Sequence, residues 1–389
     1  MLPRDGVEPV ANRTIGFKRR NEKREDGGLG MGGRERTYRP RARTTRPLGH
    51  GRSANAPPSQ PLSPPEVRPD GWFISDPLAQ RLHQKSALGN RVDGGIVLTA
   101  EEVLFCHWYR HVPLPTDGDW FRDQLSNDGT LLRRIIAMDV LRNGGERVIP
   151  VKHLSSRFDP FPENTWAVRW ERHEAWKSHP GLSQVRLQRT HDPLDWDELN
   201  EWVSMVNTCG HVAELCVIDD EFDTTIYHLS PSQPEGTHLR FSDLEHELQK
   251  EIQASCASAH AIDGGYFLNH TQEWPLPAIG TPHFSGRFLR NEEHNFLLNH
   301  DDDIGLYGAL IEQGLLLRPG FKYGCRWRGY EESIESAHAP WLIQPLNEAP
   351  TNWEEVCLAV RLAEGVNKRW ICAQFTEGVS SFLNIKRVG

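Results

Sequence analysis

The spacing of apolar residues in the last forty positions predicts a helix followed by two strands. Val356, Val360 and Ala363 recur at helical spacing, and Gly365 is typical of a residue that ends a helix. The apolar segments that follow predict a buried strand at 370–375, a turn at 376–378 and a returning strand at 380–388. This mixture of helix and strand indicates the α+β class.

The same order of elements is predicted earlier in the chain. Residues 194–199 (Leu-Asp-Trp-Asp-Glu-Leu) match residues 351–356 (Thr-Asn-Trp-Glu-Glu-Val) at an offset of 157 residues. The earlier elements are a helix at 196–207, a strand at 213–218, a turn at 219–223 and a return at 224–229. We therefore predict two tandem related units, each with a helical N-terminal part and a mixed-sheet, nuclease-like part.

The predicted domains follow from breaks in these patterns. Proline and glycine at 231–236 interrupt both periodicities, and residues 241–252 predict an amphipathic helix that opens the second unit. The predicted divisions are a disordered basic leader at 1–70, a structural unit at 71–233, the N-terminal subdomain of the second unit at 234–313 and a catalytic domain at 314–389.

The charge of the chain is divided unevenly between the leader and the rest. Residues 1–70 hold 15 Lys or Arg against 8 Asp or Glu, whereas the remaining residues hold 29 against 45. The leader has too few apolar residues to offset the entropy of ordering, so we expect disorder. Since phosphate affinity comes from Lys and Arg, an acidic body limits any RNA contact to a local basic patch.

Composition narrows the class of protein further. No stretch approaches the ~18 consecutive apolar residues of a membrane span, and the first 20 residues carry charges where a secretory signal is apolar. We expect a cytoplasmic protein without membrane contact. Seven cysteines without a C-x-x-C pair indicate reduced thiols, with no disulfide framework, metal site or cofactor predicted.

Three separated sequence blocks in the last third carry the strongest chemical pattern. They are Gly320-Phe-Lys-Tyr-Gly followed by Trp327-Arg-Gly-Tyr330, then His338 before an apolar strand, and then Asn367-Lys368-Arg369 before the next strand. In residue type, order and approximate spacing, these blocks resemble the catalytic domain of archaeal tRNA-splicing endonucleases of the two-unit fused type.

The resemblance implies roles for individual residues. Tyr330 corresponds to the general base, His338 to the general acid and Lys368 to the cation that stabilises the transition state. Arg361 matches one arginine that sandwiches a flipped-out bulge base, and Arg387 is our candidate for the second, with Lys386 as its competitor. The implied reaction is metal-independent cleavage of precursor tRNA at bulge-helix-bulge intron boundaries, by homodimers.

The chemistry of these side chains agrees with such a reaction. Histidine can hold and release a proton near neutrality, and lysine can stabilise charge on phosphoryl oxygens. A free phenol with a pKa of about 10 is a poor base, so neighbouring cations such as Arg328 or Lys368 would have to lower the pKa of Tyr330. Taken singly, each residue is more often structural, and only the joint pattern favours a site.

The first unit is predicted to have lost the site. At the offset of 157, Lys368 maps to His211 and Arg361 to Ser204, while Trp170 stands where a tyrosine is sought and His179 parallels His338. We predict a structural role for this unit. By resemblance, its acidic turn, formed by Asp219, Asp220, Glu221 and Asp223, docks into a basic pocket of a neighbouring catalytic unit.

Two other functions remain open at this point. One is a catalytically inactive RNA-binding or structural subunit of such an endonuclease. The other is a metal-dependent nuclease of the restriction-enzyme type, which needs an acidic pair and a D/E-x-K motif that we cannot place in the sequence. Cleavage that persists in EDTA would separate the metal-dependent enzyme from the metal-independent one.

Overall fold

Two small antiparallel sheets and one large mixed sheet contain the named strands of the chain. The computed structural model describes residues 58, 60–115, 119–143, 145–154, 161–269, 273–300 and 304–388. The predicted leader lies mostly outside these residues. Its end is ordered, however, because Glu66–Arg68 forms a strand that pairs with Gly71–Ser75, so the fold begins before the predicted boundary at residue 70.

The first half begins with a small sheet and four helices and then enters the large sheet. Its small-sheet strands and early helices are β1 Glu66–Arg68, β2 Gly71–Ser75, α1 Leu78–Ser86, β3 Asn90–Val92, β4 Gly95–Leu98, α2 Ala100–Arg110, α3 Trp120–Asn127 and α4 Leu131–Asn143. Its large-sheet part consists of β5 Arg147–Pro150, β6 Ala167–Trp170, β7 Ser183–Arg189, α5 Trp196–Thr208, β8 Val212–Ile218 and β9 Thr224–Pro231.

The second half has a related order of elements. Its early part consists of α6 His246–Ala257, β10 His260–Ile262, β11 Gly265–Leu268, β12 Thr281–His283, β13 Gly286–Arg290, α7 Asn291–Leu298 and α8 Gly305–Glu312. Its large-sheet part consists of β14 Leu316–Pro319, β15 Trp327–Tyr330, β16 Trp341–Pro345, α9 Trp353–Gly365, β17 Arg369–Thr376 and β18 Val379–Arg387.

The ten-stranded sheet has the order β14-β15-β16-β17-β18-β9-β8-β7-β6-β5. In each half, the first three strands are antiparallel neighbours, the third and fourth are parallel, and the fourth and fifth form an antiparallel hairpin. The two halves meet where β9 pairs with β18 in antiparallel fashion. Each parallel pair is joined through a helix, α5 or α9, as a parallel connection requires.

Helices α5 and α9 share one hydrophobic core on the same face of the sheet. Trp196, Trp202, Trp353 and Trp370 all belong to this cluster, and the rings of Trp196 and Trp370 lie 6.2 Å apart. The indole nitrogen of Trp196 also donates to the carbonyl of Pro350 at 2.8 Å. Since a fully buried large side chain contributes about 1.5–3 kcal/mol, this shared core holds the two halves together.

The boundary region between the halves differs from the prediction. The predicted helix at 241–252 is wrong in its bounds: Phe241–Asp243 forms a short 3-10 turn, and α6 begins only at His246. The N-terminal parts are also not purely helical, because each contains a small four-stranded sheet. Strands of three to five residues are too short to show a clear alternation in the sequence.

The first half buries an ionic network inside the large sheet. Glu214 on β8 is fully buried and accepts from Arg169, whose Nε lies 2.7 Å from Oε1, while His228 Nε2 lies 3.0 Å from Oε2. A second carboxylate, Glu146, lies 3.1 Å from Arg169. Burial alone would raise the pKa of Glu214, but the bonds from His228 and Arg169 outweigh it and lower that pKa.

Replacing Glu214 with Gln should destabilise the fold. The change leaves Arg169 buried with only Glu146 as a charged partner, so we expect a loss of about 3–5 kcal/mol in the free energy of unfolding. Urea denaturation at pH 7 measures this loss, with the exposed Glu201→Gln as a control expected to change stability by less than about 0.5 kcal/mol. Similar losses in both variants would contradict the role of the network.

The same variant has a pH dependence of known sign. A carboxyl whose folded pKa lies below its ordinary value near 4.5 contributes stability above that value and loses it as the pH falls through the folded pKa. The difference in stability between the parent and Glu214→Gln should therefore be largest near neutrality and shrink in acid. A difference that grows in acid would show that the pKa of Glu214 is raised.

Among the described residues, no helix combines the length and the apolar character needed to cross a membrane.

Candidate active site

The three predicted catalytic residues lie at one edge of the large sheet. Strand β15 ends at Tyr330 and runs antiparallel to β16, which runs parallel to β17. The end of β15 and the starts of β16 and β17 therefore lie at the same edge. His338 comes three residues before β16, and Lys368 comes directly before β17. The pairing of the strands thus brings together residues that are up to 38 positions apart.

Ala339, which follows His338, connects the other two residues. The Lys368 ammonium donates to the Ala339 carbonyl, and Ala339 belongs to the same small buried cluster as Tyr330. The backbone N–H of Lys368 donates to the carbonyl of Ala363 at 2.9 Å, which fixes the chain at the end of α9. Tyr330 is only 7% exposed, whereas His338 is exposed.

Two further side chains complete this cluster. The Arg328 guanidinium lies 5.8 Å from the ring centroids of both Tyr330 and Tyr323. The Lys368 ammonium lies 5.8 Å from the Tyr323 ring. The sequence names Arg328 as a cation near Tyr330, but it gives no signal that Tyr323 lies close to both Arg328 and Lys368. The two glycines of the block at residues 320–324 predict a turn at Tyr323, but they do not show which way the side chains of the turn point.

The Lys368 amine has a pKa below its ordinary value. Burial is the largest cause because it disfavours the charged form, and repulsion from Arg328 acts in the same direction. Lys368 and Arg328 are therefore close enough to repel each other as like charges, and both lie near the Tyr323 ring.

The segment between the two halves packs directly beside the site. The N–H of Thr237 donates to the carbonyl of Glu331, the residue after Tyr330, at 2.8 Å. The Glu331 carboxylate in turn accepts from the Trp341 indole at 2.8 Å. Gly236 and Gly314 cross here so closely that a Cβ on Gly236 would lie 2.1 Å from the Gly314 oxygen. Only glycine fits this crossing, which sets the position of β14 and β15.

The corresponding edge of the first half has the same layout and different side chains. Trp170 ends β6 as Tyr330 ends β15, and its indole donates to the carbonyl of His179 at 3.0 Å. His211 precedes β8 as Lys368 precedes β17, and its Nε2 lies 3.1 Å from the carbonyl of Pro180. Lys368 makes the equivalent contact with Ala339. In the first half, residues that form structural hydrogen bonds therefore stand where the second half has its candidate catalytic residues.

The buried imidazole of His211 is held in its neutral form. Burial is the largest cause of its lowered pKa, and the contact with the Pro180 carbonyl only partly opposes this effect. Its other nitrogen contacts the side chain of Gln184 at 3.0 Å. A neutral, buried imidazole cannot supply the positive charge that Lys368 supplies in the second half.

Arg361 and Arg387 lie together on the side of the sheet that α9 covers. Both act electrostatically on Cys357 of α9, and the N–H of Arg387 donates to Glu364 of the same helix at 2.9 Å. Leu383 and Ile385 of the same strand pack in the core that α9 covers. Neighbouring residues of a strand point to opposite faces, so Arg387 lies on the α9 side and Lys386 faces away from it. Of the two candidates, Arg387 is therefore the one that shares a surface with Arg361.

The acidic turn between β8 and β9 is held by one of its own carboxylates. Asp219 Oδ1 accepts from the N–H groups of Glu221 and Asp223, each at 2.9 Å. Asp220 forms an ion pair with Arg189 at 2.6 Å, and hydrogen bonds from Arg189 and His191 lower the pKa of Asp220. Asp219 therefore shapes the turn, while Asp220 lies on its surface.

Comparison with known proteins shows that the last part of the chain is similar to a family of known catalytic domains. Residues 300–380 match the family described as tRNA intron endonuclease, catalytic C-terminal domain. The family resemblance is confirmed. This match contains Tyr330, His338 and Lys368, together with Tyr323 and Arg328.

Several curated archaeal proteins named tRNA-splicing endonuclease are similar to the chain. The protein of Picrophilus torridus is 27% identical over 169 residues, which cover 43% of this chain and 57% of that protein. That of Thermoplasma volcanium is 27% identical over 174 residues, 44% of this chain and 53% of that protein. That of Methanosarcina acetivorans is 25% identical over 246 residues, 54% and 69% respectively. The similarity to the first two spans just over half of their length.

Replacing Gly236 with Ala should destabilise the edge that carries the site. The added methyl group would meet a backbone oxygen that cannot move without shifting β14, so we expect a loss of about 1–3 kcal/mol in the free energy of unfolding. Gly365→Ala is the control, since a Cβ at Gly365 meets nothing within 4 Å. Equal stability of the two variants in urea denaturation would show that the crossing is not tight.

Proposed function

We propose that the protein is an endoribonuclease that removes introns from precursor tRNA. The observation that carries this proposal is the convergence of Tyr330, His338 and Lys368 at one sheet edge, inside the segment that matches a tRNA intron endonuclease catalytic domain. The substrate follows from the relatives, whose names state tRNA splicing. Within precursor tRNA, we propose bulge-helix-bulge intron boundaries as the cutting sites.

The proposed reaction needs one base, one acid and one cation. Tyr330 takes the proton from a ribose 2′-hydroxyl, and the 2′-oxygen attacks the adjacent phosphorus. Lys368 stabilises the negative charge that develops on the phosphoryl oxygens, an effect worth about 3–4 kcal/mol for one such group in other enzymes. His338 protonates the departing 5′-oxygen. The products carry a 2′,3′-cyclic phosphate and a 5′-hydroxyl.

Cleavage is proposed for the second half alone. In the first half, Trp170 and His211 form structural hydrogen bonds at the matching positions, and the buried His211 is held neutral. We propose that the two halves are tandem related units, since their strands pair in the same order and sense. One chain then holds one active site, and a homodimer holds two.

Contacts with the rest of the RNA are proposed for Arg361 and Arg387. Both side chains belong to exposed residues on the side that α9 covers, and a planar guanidinium stacks well on a nucleic-acid base. We propose that the pair holds a flipped-out base of the bulge. Their closeness to Cys357 supports a shared surface, because both arginines act on that one thiol.

One observation favours the second candidate function, an inactive RNA-binding or structural subunit. Tyr330 is only 7% exposed, and its ring packs against Ala278, Leu316 and Ala339. Because Tyr330 is so deeply buried, its phenolic oxygen can act as a base only if the RNA brings a ribose 2′-hydroxyl into direct contact with it. Cleavage by the parent protein decides between the two functions, and single-residue variants then test the roles of the three residues.

The Tyr330→Phe, His338→Ala and Lys368→Gln variants should each cleave about 10²-fold more slowly than the parent or worse, because each lacks one group of the reaction. The measurement is single-turnover cleavage of an intron-containing precursor tRNA in EDTA, with analysis of the cut ends. His179→Ala, the matched change in the first half, should cleave at the parental rate. No cleavage by the parent would leave the inactive subunit as the better proposal, whereas parental rates in all three variants would remove these residues from the mechanism.

Assembly is tested at the acidic turn. We propose that the Asp220 and Asp223 carboxylates dock into a basic pocket of a second chain, while Asp219 keeps the turn in shape. The double variant Asp220→Ser with Asp223→Ser should lower the dimer fraction in light scattering and slow cleavage, with unchanged thermal unfolding. Glu377→Ser, in the matching turn of the second half, is the control. An unchanged mass and rate in the double variant would refute docking by this turn.

A further inference from the structure

Arg328 is a cation at the site edge whose hydrogen-bond partner is a backbone carbonyl and not a carboxylate. Its Nε donates to the carbonyl of Pro319 at 3.1 Å, and the structure records no ion pair for it among the described residues. Two nearby arginines differ in this respect. Arg318, its cross-strand partner, lies 3.7 Å from Glu293, and Arg326 lies 3.3 Å from Glu292. Of these three arginines, Arg328 alone has no ion pair within the described ranges of the chain.

A second cation without a carboxylate partner lies close by. The Lys368 ammonium is bound to the Ala339 carbonyl, again with no recorded ion pair in the described part of the chain. The Tyr323 ring lies 5.8 Å from each of the two cations, and attraction to its face stabilises both. The Glu331 carboxylate, next to Tyr330 in the chain, is engaged by the Trp341 indole.

Two unpaired cations that repel each other mark a place where the protein lacks an anion. The repulsion between the two cations costs free energy, and a bound anion would attract both of them. The guanidinium is fixed at Nε by Pro319 and flanked by two rings, so its two terminal nitrogens present a planar fork. Such a fork matches the geometry of phosphate oxygens. Since the chain after residue 70 holds more acidic than basic residues, two neighbouring cations without a carboxylate partner stand out from their surroundings.

We propose that Arg328 binds the scissile phosphodiester together with Lys368, as a second phosphate-binding residue of the site. The inference rests on the proposed function for its substrate, although the anion site itself stands on the geometry. Arg328 and Lys368 both contact the phosphate oxygens, and the Tyr323 ring lies 5.8 Å from each cation. Tyr330, against which the guanidinium also lies, then faces the ribose that carries that phosphate.

The first arm of the test measures cleavage. Arg328→Gln should lower the single-turnover rate constant at saturating enzyme by about 10²-fold, because it removes a charge from the transition state. Arg328→Lys retains the charge and should be clearly faster than Arg328→Gln. Arg326→Gln, which removes an equal charge from the same segment, should cleave at the parental rate. A loss of RNA affinity with an unchanged rate constant would overturn the assignment to the scissile phosphate.

The second arm uses inorganic phosphate and does not depend on cleavage. Phosphate should raise the thermal unfolding temperature of the parent, Arg326→Gln and Arg328→Lys above that in chloride at equal ionic strength, and should leave Arg328→Gln unaffected. Equal phosphate stabilisation of all four proteins would overturn the anion site. Equal losses in the Lys and Gln variants of Arg328 would also overturn it, since the proposal requires the charge.

The two arms distinguish the proposals. If the parent does not cleave precursor tRNA but phosphate still stabilises it through Arg328, the proposed function fails and the anion site stands. If Arg328→Gln loses cleavage but keeps the full response to phosphate, Arg328 only positions Tyr330 and the inference fails.

Discussion

The antiparallel pairing of β9 with β18 is the contact on which the rest of the structure depends. It joins two five-stranded halves into one sheet, from Leu383 opposite Pro231 to Arg387 opposite Tyr227. Because the sheet is continuous, α5 and α9 lie side by side on one face and share a single core that contains Trp196 and Trp370. Neither helix could bury its apolar stripe alone to the same extent. The stability of the site in the second half is therefore tied to packing contributed by the first.

Strand direction explains why the candidate catalytic residues lie together at one edge of the sheet. A parallel pair flanked by antiparallel neighbours places the end of one strand beside the starts of the next two, and both halves have this arrangement. Both halves of the fold have such an edge, and the side chains at each edge determine whether it carries hydrogen-bonding groups or charged groups. In the first half, Trp170 and His211 satisfy the loop carbonyls of His179 and Pro180. In the second half, Lys368 also bonds a loop carbonyl, but it brings a positive charge and has Arg328 nearby.

Much of the large sheet could be predicted because its elements have clear periodicity and clear ends. The helix predicted at 196–207 is Trp196–Thr208, and the strand predicted at 370–375 is Arg369–Thr376. The small sheets were not predicted, because strands of three residues such as His260–Ile262 bury no alternating face. The helix predicted from residue 241 begins later, since apolar spacing alone does not show where a tight turn precedes a helix. Contacts between distant segments, such as Gly236 on Gly314, have no local signal at all.

The sequence pattern identified the candidate site residues, but it did not show which charged groups lie close to one another in the fold. Residue type alone could not separate Arg387 from Lys386, but strand alternation and the bond to Glu364 place Arg387 on the α9 side. Likewise, three arginines follow one another closely at 318, 326 and 328, and only their partners distinguish them. A carboxylate lies close to Arg318 and to Arg326, whereas Arg328 has no carboxylate partner among the residues that the structure describes. The part of the chain after residue 70 is acidic, so its net electrostatic field repels phosphate. Affinity for a polyanion would therefore have to come from local groups of cations without carboxylate partners. The positive charge at 328 and 368 is therefore better explained by a ligand than by the stability of the fold.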